Sequence, residues 1–425
     1  MSDPLVVGID LGTSGARAVA MNAAREVLAT ASAKLATFSA DHRDPVGWWA
    51  AVRSALAGVL SGIDRTRVVA LAIDGTSGTM LPVDRDGRPL ATPKMYNDPV
   101  EDRSILDAIS SHAPKESAAH GATSGLARLI AFQEVAGVAR VIHQADWIAG
   151  QFTGRFDLSD ENNALKTGYD PVARSWPAWI AATGAKPELL PQVLPAGAPM
   201  ATISAHAAQS FGLSRAVLAV AGTTDGCASF LATGATEPGE GVTALGTTLT
   251  VKLLSDKPLF APEYGLYSHR IGDSWLAGGA SNTGGAVLAH YFDDAKIAEL
   301  SARINPKTPT GLDYYPLVKP GERFPIADPA LAPRMEPQPA DEAEFLKAIL
   351  EGIANVEKLA YDRLAELGGP KLSSVRSVGG GAKNPVWSEI RRLRLAVPFE
   401  SVLSEEAAAG TARLALDGAG KAGLT

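Results

Sequence analysis

The sequence predicts an α/β protein made of two related halves, and three observations carry that prediction. The first is the opening stretch, Leu5-Val6-Val7-Gly8-Ile9-Asp10-Leu11-Gly12-Thr13-Ser14-Gly15-Ala16-Arg17-Ala18-Val19-Ala20. There an apolar run with one acidic residue meets a glycine and hydroxyl turn and then a second alternating run, the pattern of a two-stranded hairpin. The second is a copy of that turn: Gly12, Thr13 and Ser14 align with Gly246, Thr247 and Thr248 at a constant offset of 234 residues, with apolar alternation on both sides. The third is that two further apolar runs, Val68 to Ile73 and Val217 to Ala221, lead into Asp74-Gly75-Thr76-Ser77 and Gly222-Thr223-Thr224-Asp225-Gly226. Each places a carboxylate among small residues at the C-terminal end of a strand, where ligands collect in α/β sheets.

In the first hairpin, Asp10 interrupts a buried strand. An unpaired carboxylate there is costly, so the position calls for a metal ion, a hydroxyl or solvent. Gly12 to Gly15 offers backbone N–H groups with no bulky side chain in front of them, together with two hydroxyls, which suits a phosphate. Turns of this composition also serve as plain hairpin connectors, but the pairing of two of them, with Asp10 in the first, favours phosphate binding. Trp48 and Trp49 open a helix running to about Leu60, and Val68 to Ile73 reads as a buried strand. Asp74 at its end is either a turn former or a ligand group. The loop Pro93-Lys94-Met95-Tyr96-Asn97-Asp98-Pro99 sets an aromatic face beside an amide and a carboxylate, which suits a sugar as well as a surface loop, and a helix follows over Val100 to Ile109.

The middle region, to about Pro199, shows no run that carries chemistry. Asp225 sits in a strand-to-helix turn before Phe230-Leu231, where a carboxylate either caps the helix or acts as a general base toward an attacking hydroxyl. Nine prolines between 305 and 340 predict an extended surface crossing. A strong helix follows, with Asp341 and Glu344 as a capping pair, a stripe from Phe345 to Leu367 and a stop at Gly368-Gly369-Pro370. Gly379-Gly380-Gly381-Ala382-Lys383-Asn384-Pro385-Val386-Trp387 then combines close backbone approach with an N-cap at Asn384 and proline at the first helical position, a nucleotide-pocket signal. Ser404 onward reads as a last helix.

At 425 residues the chain exceeds what one core usually serves, which predicts two domains joined near the middle. A net charge of −7 with no long basic run argues against nucleic acid and anionic membranes as partners. The single cysteine, Cys227, reads as a small buried hydrophobe, and no apolar stretch has membrane-spanning length, so a cytoplasmic protein is expected. The P-loop pattern, Gly-x-Gly-x-x-Gly after a strand, histidine pairs at metal-ligand spacing and Gly-x-Ser-x-Gly are all absent. Phosphate handling by two hairpins is the chemistry left.

Taken in order, the motifs resemble those of the FGGY family of carbohydrate kinases, within the actin, hexokinase and Hsp70 superfamily. The carriers are Gly8 to Ser14, Ile73 to Ser77, Ala145-Asp146-Trp147-Ile148 with Thr153-Gly154, Asn163-Ala164 with Tyr169-Asp170, Gly222 to Gly226, Gly241 to Thr248, Gly321-Glu322-Arg323, Gly379 to Trp387 and Glu406 to Gly410. The resemblance implies two ribonuclease-H-like domains with a cleft between them. It puts a sugar-side domain at 1–228 and a nucleotide-side domain at 229–402, with a C-terminal helix, 403–425, packing back on the first. It also implies ATP-dependent phosphorylation of a small sugar or polyol. Asp225 would be the catalytic base, and Asp10 and Asp225 would hold Mg2+. Asp10, Asp74, Thr76, Asp98 and Asp225 would face the sugar. Gly12, Thr13, Ser14, Gly246, Thr247 and Thr248 would border the phosphates, and Gly380, Gly381, Ala382, Asn384 and Trp387 would line the adenosine site.

Two departures stand out. The family's aromatic-x-Asp-x-Arg spacing is broken after Asp98, where the next arginine is Arg103, and its Lys-x-x-Trp pattern is missing around Leu126 to Phe132. The length and the Gly-Thr-Ser-Gly-Ala-Arg-Ala start look most like the compact branch that acts on D-ribulose, with D-xylulose or another polyol as alternatives. An actin-like or Hsp70-like switch ATPase is the competing reading from another class. A monomer or homodimer is expected.

Overall fold

The computed structural model describes residues 3–425. Its contacts divide the chain into two units: 3–232 with 269–272 and 406–425, and 233–268 with 273–405. The breaks fall at 232/233 and 405/406, a few residues beyond the expected 228/229 and 402/403. No helix among the described residues is long and apolar enough to cross a membrane.

The first unit is built on a six-stranded sheet. Strands β1 (Leu5–Gly12), β2 (Gly15–Asn22), β3 (Val27–Lys34) and β4 (Val68–Gly75) are joined by Leu218–Thr224 and Pro199–Thr202, in the order β3, β2, β1, β4, Leu218–Thr224, Pro199–Thr202. β1 and β2 form the antiparallel hairpin the sequence predicts, closed at Gly12 opposite Gly15. β1, β4 and Leu218–Thr224 run parallel, with Asp10 opposite Asp74 and Thr223 opposite Asp74.

Both faces of this sheet are covered, which is why β1 reads as a continuous apolar run. Helix α1 (Pro45–Ser61) packs Trp48, Val52, Leu56 and Val59 on the face carrying Val7, Ile9 and Leu11. It begins three residues before Trp48, because Asp44 caps it by accepting from Val46 N at 2.9 Å and Pro45 takes the first helical position. The opposite face, with Val6, Ala70, Ala72 and Val220, is covered by the C-terminal helix Ala407–Lys421. That helix lies directly on Gly8, where a Cβ would come within 2.0 Å of Ala408 O and 2.2 Å of Ala412 N. Its Ala-Ala-Ala-Gly-Thr-Ala start permits the approach.

In the second unit, strands Ser274–Ala280, Leu249–Ser255, Glu240–Leu245 and Ser374–Val378 lie in that order. Glu240–Leu245 is antiparallel to Leu249–Ser255 and parallel to Ser374–Val378, so this unit repeats the arrangement of β1, β2 and β4. The repeat differs at the turn. Leu245 pairs with Leu249 across three residues, whereas Gly12 pairs with Gly15 across two. The helix Glu342–Glu366 is capped by Asp341, which accepts from Ala343 N at 3.1 Å, while Glu344 contacts Lys347. Residues 305–340 contain only isolated bridges and no regular element. The segment is more than a surface crossing, however: Tyr314, Tyr315, Leu317, Glu322 and Phe324 are all buried.

Candidate active site

The parallel register of β1, β4 and Leu218–Thr224 brings three carboxylates from distant parts of the sequence to one edge of the first sheet. Asp10 is 4% exposed and accepts from the Arg17 guanidinium at 3.3 Å, while Arg17 also reaches Glu406 at 3.2 Å. Asp225 is half-buried and is the first residue of helix Asp225–Ala232, with Oδ1 accepting from Gly226 N at 2.7 Å. The capping contact to Cys227 N comes from Thr224 Oγ1, at 3.4 Å. Asp225 Oδ1 and Thr224 Oγ1 thus both accept backbone N–H groups at the start of this helix.

Asp74 differs from both. It is fully buried, and its Oδ2 accepts from the Thr411 hydroxyl on the C-terminal helix. Burial first, then the charges of Asp10 and Asp225, raise its carboxyl well above the usual range. In this structure the Asp74 carboxylate thus faces the C-terminal helix through Oδ2 and is closed off from solvent. Thr76 is buried as well. Its N–H donates to Gln144 Oε1 at 3.1 Å, and its hydroxyl is within 2.7 Å of Thr79 Oγ1 and 2.8 Å of Gln144 Oε1, leaving it 4% exposed.

Asp98 is held by a partner the sequence does not indicate. Arg43 Nη2 donates to Oδ1 at 2.8 Å and Nε to Oδ2 at 3.1 Å, and Met95 N adds a bond of 2.8 Å. The Arg43 bond lowers the carboxyl below its usual range. Where the family pattern has an arginine two residues after this aspartate, the guanidinium here comes from residue 43. Arg128, fully buried within the span that lacks Lys-x-x-Trp, carries the same loop. It donates to Gly78 O, Met95 O, Tyr96 O and Asp98 O at 2.8 to 3.0 Å. Burial lowers its pKa to about 10, so it stays protonated at neutral pH.

The middle region also contributes more than its sequence shows. Asp160 accepts from Asn162 N, Asn163 N and Asn163 Nδ2. Asn163 Nδ2 also reaches Thr223 O at 3.2 Å, and Asn162 Nδ2 reaches Thr223 Oγ1 at 3.0 Å. This buried network fixes the strand end two residues before Asp225. Its only sequence signal is the polar run Ser159 to Asn163.

The two turns and the glycine run complete the candidate residues. Thr13 and Ser14 are exposed and line a cavity of about 470 Å³ with Arg17, Lys34, Ser39 and His42. Another cavity, about 970 Å³ among Asp84, Arg140, Arg155 and Asp157, shares no residue with these candidates. In the second unit Gly246 and Thr247 are exposed and Thr248 is half-buried. Gly379 has φ +88° and donates to Glu405, and a Cβ on Gly380 would have no atom within 4 Å. Asn384 caps Pro385–Leu395 by accepting from Val386 N and Trp387 N, and it donates to Ser301 Oγ at 2.9 Å. Ala382 is half-buried against the core of this unit. Trp387, at 1% exposure, packs in that core against Gly381, where a Cβ would come within 2.4 Å of the ring.

Among the described residues no group of three or more His, Cys, Asp or Glu side chains forms a metal cage. One or two carboxylates at the edge of a phosphate site nevertheless fit a magnesium ion, which keeps several waters and takes the rest of its ligands from phosphate.

Residues 5–117 match the N-terminal domain of the FGGY family of carbohydrate kinases, and residues 241–416 match its C-terminal domain, together well over half of the chain. The chain belongs to this family. Among curated FGGY relatives, the autoinducer-2 kinase of Yersinia enterocolitica is 28% identical over 294 residues, 62% of this chain and 54% of that protein. The chain thus spans about half the length of the curated relatives it matches. Two solved structures share the FGGY fold at low identity. A xyloylose kinase from Brucella ovis has a TM-score of 0.82 at 23% identity, covering 98% of this chain and 91% of the other. The glycerol kinase of Plasmodium falciparum with ADP has a TM-score of 0.78 at 15% identity, covering 99% and 92%.

Proposed function

We propose that this FGGY chain transfers the γ-phosphoryl group of ATP to a hydroxyl of a ketopentose, D-ribulose first among them. The observation that supports the transfer chemistry is the placement of Asp225 at the head of its helix, directly after the strand whose Thr223 lies opposite Asp74, itself opposite Asp10. In this reading Asp225 Oδ accepts the proton of the attacking hydroxyl, and Asp10 and Asp225 hold Mg2+, which neutralises phosphate charge when bound. Gly12, Thr13 and Ser14, and Gly246, Thr247 and Thr248, contact the phosphates through backbone N–H groups and hydroxyls. Gly380, Gly381, Ala382 and Asn384 accept the adenosine. Asp98, oriented by Arg43, reads a sugar hydroxyl.

D-ribulose rests on the compact length and the Gly-Thr-Ser-Gly-Ala-Arg-Ala start. D-xylulose or another polyol is the alternative, and autoinducer-2 is one that the name of a similar protein supplies. The protein is taken to act in the cytoplasm on a small molecule, as a monomer or homodimer. A coupled ADP-release assay over D-ribulose, D-xylulose, autoinducer-2 and glycerol tests the proposal. Release that depends on D-ribulose supports it, a higher kcat/KM on another acceptor reassigns the substrate, and equal release without any acceptor replaces the kinase reading with a switch ATPase.

A further inference from the structure

The segment Gly321-Glu322-Arg323 has no role in the reading above, yet Glu322 is one of the most heavily engaged carboxylates of the second unit. It is 3% exposed and accepts from Ser281 Oγ, from Asn282 N at 2.7 Å, from Tyr315 OH at 2.8 Å and from Arg323 N at 2.8 Å. Asn282 Nδ2 returns a bond to Gly321 O at 2.9 Å. A buried carboxylate is costly unless donors surround it, and here four donors converge on one side chain.

These bonds lead to the second turn. Ser281 N donates to Leu249 O and Leu249 N to Thr283 O, each at 2.8 Å, so the clamped segment is stitched to the first residue after the turn. The chain then passes through Gly284, whose φ is +135° and where a Cβ would come within 2.7 Å of Leu249 N, so that only glycine fits. Immediately beyond it, Gly285 N donates to Gly246 O at 2.8 Å and Ala286 N to Thr247 O at 3.0 Å. A trans peptide points its N–H opposite to its C=O. Tying the carbonyls of Gly246 and Thr247 to the Gly285–Tyr291 helix therefore turns the N–H groups of Thr247 and Thr248 away from that helix.

We propose that Glu322 is a positioning residue for phosphate recognition. By clamping Ser281-Asn282 it fixes the Gly284-Gly285 backing, and through that backing it aims the Thr247 and Thr248 amides at the phosphates of a nucleotide. The inference rests on the proposed function in taking the ligand to be a nucleoside polyphosphate.

The test compares ADP with adenosine, which lacks the phosphates, as calorimetric ligands of the full chain and of Glu322→Gln. The amide keeps the size of the side chain and can still accept from Asn282 N and Arg323 N, but it presents a donor to Ser281 and Tyr315. The expected result is ADP affinity lower by roughly 10-fold, within the range for loss of a buried hydrogen-bonded partner, with adenosine affinity within twofold of the parent and the KM for sugar unchanged. Equal weakening of ADP and adenosine would make Glu322 a general structural residue and overturn the proposal, as would unchanged ADP binding. Should Glu322→Gln fail to fold, Tyr315→Phe removes one donor to the same carboxylate and is expected to weaken ADP about threefold with adenosine unaffected. No selective loss in that variant counts against the proposal. A parent protein that binds neither ATP nor ADP would sink the nucleotide reading itself, whereas parent binding with insensitivity to Glu322 sinks only this inference.

Discussion

Replacing Asp225 with asparagine tests the proposed chemistry with little disturbance to the fold. The carboxylate is half-buried, and the bond that Gly226 N donates to Oδ1 at 2.7 Å is made to an oxygen that the amide also supplies. The capping contact at Cys227 belongs to Thr224 and is untouched. Asp225 is also one of the charges that raise the carboxyl of the buried Asp74, so its neutralisation relieves repulsion in the cluster and should not lower the melting temperature. What is lost is the proton acceptor. General-base removal lowers turnover by roughly 100-fold to 10,000-fold, or about 3 to 5 kcal/mol of barrier. The assay is ADP release with saturating sugar, paired with calorimetric ADP binding that should match the parent. Turnover within threefold of the parent, in a variant that folds and binds ADP, would refute the assignment of Asp225.

Three further outcomes are expected. Gly380→Val should be tolerated by the fold, since a Cβ there meets nothing within 4 Å, and should weaken nucleotide at least 10-fold while sugar binding stays within twofold; parallel loss of both would contradict the adenosine assignment. Gly8→Ala drives a methyl to within 2.0 Å of Ala408 O and 2.2 Å of Ala412 N, both backbone, and should cost about 3 kcal/mol in thermal or urea unfolding; an unchanged midpoint would show that the C-terminal helix is not seated there. His143 is buried and its pKa is lowered to about 3, by burial first and then by Arg128 and Lys166. A group depressed in the folded state contributes stability above its unfolded value near 6.5 and loses it as pH falls toward 3, so between pH 7 and pH 5 the parent should lose about 2 kcal/mol relative to His143→Gln. Identical pH profiles for the two proteins would exclude this role for His143.

What the sequence reveals about this fold is what local signals encode. Apolar alternation around Gly12-Thr13-Ser14 and Gly246-Thr247-Thr248 gives two hairpins, and Asn384-Pro385 and Asp341 cap the helices that follow them. What local signals do not show is burial, which distant chain decides. Asp74 is covered by a helix more than 300 residues later, which places Thr411 on it. Trp387, on the first turn of an exposed-looking helix, is drawn into the core beneath Gly381. Arg43 and Arg128 act on the Asp98 loop across 55 and 30 positions, and no spacing rule connects them. The proline-rich stretch was legible as irregular, but composition alone does not show that it carries a buried glutamate to Ser281 and Asn282.

The seating of Ala407–Lys421 against Gly8 also has a consequence for the order of synthesis. The β1, β4 and Leu218–Thr224 strands emerge from the ribosome long before the helix that covers one of their faces, and the Asp74 carboxyl meets the Thr411 hydroxyl only after a further stretch of nearly 200 residues has been made. Until then the sheet face with Val6, Ala70, Ala72 and Val220 has no cover from its own unit, and the second unit is translated in the interval. A nascent chain halted after residue 232 therefore carries Asp10, Asp74 and Asp225 before the helix that supplies Thr411 exists, so the setting of these three carboxylates is finished only once residues 406–425 have been made.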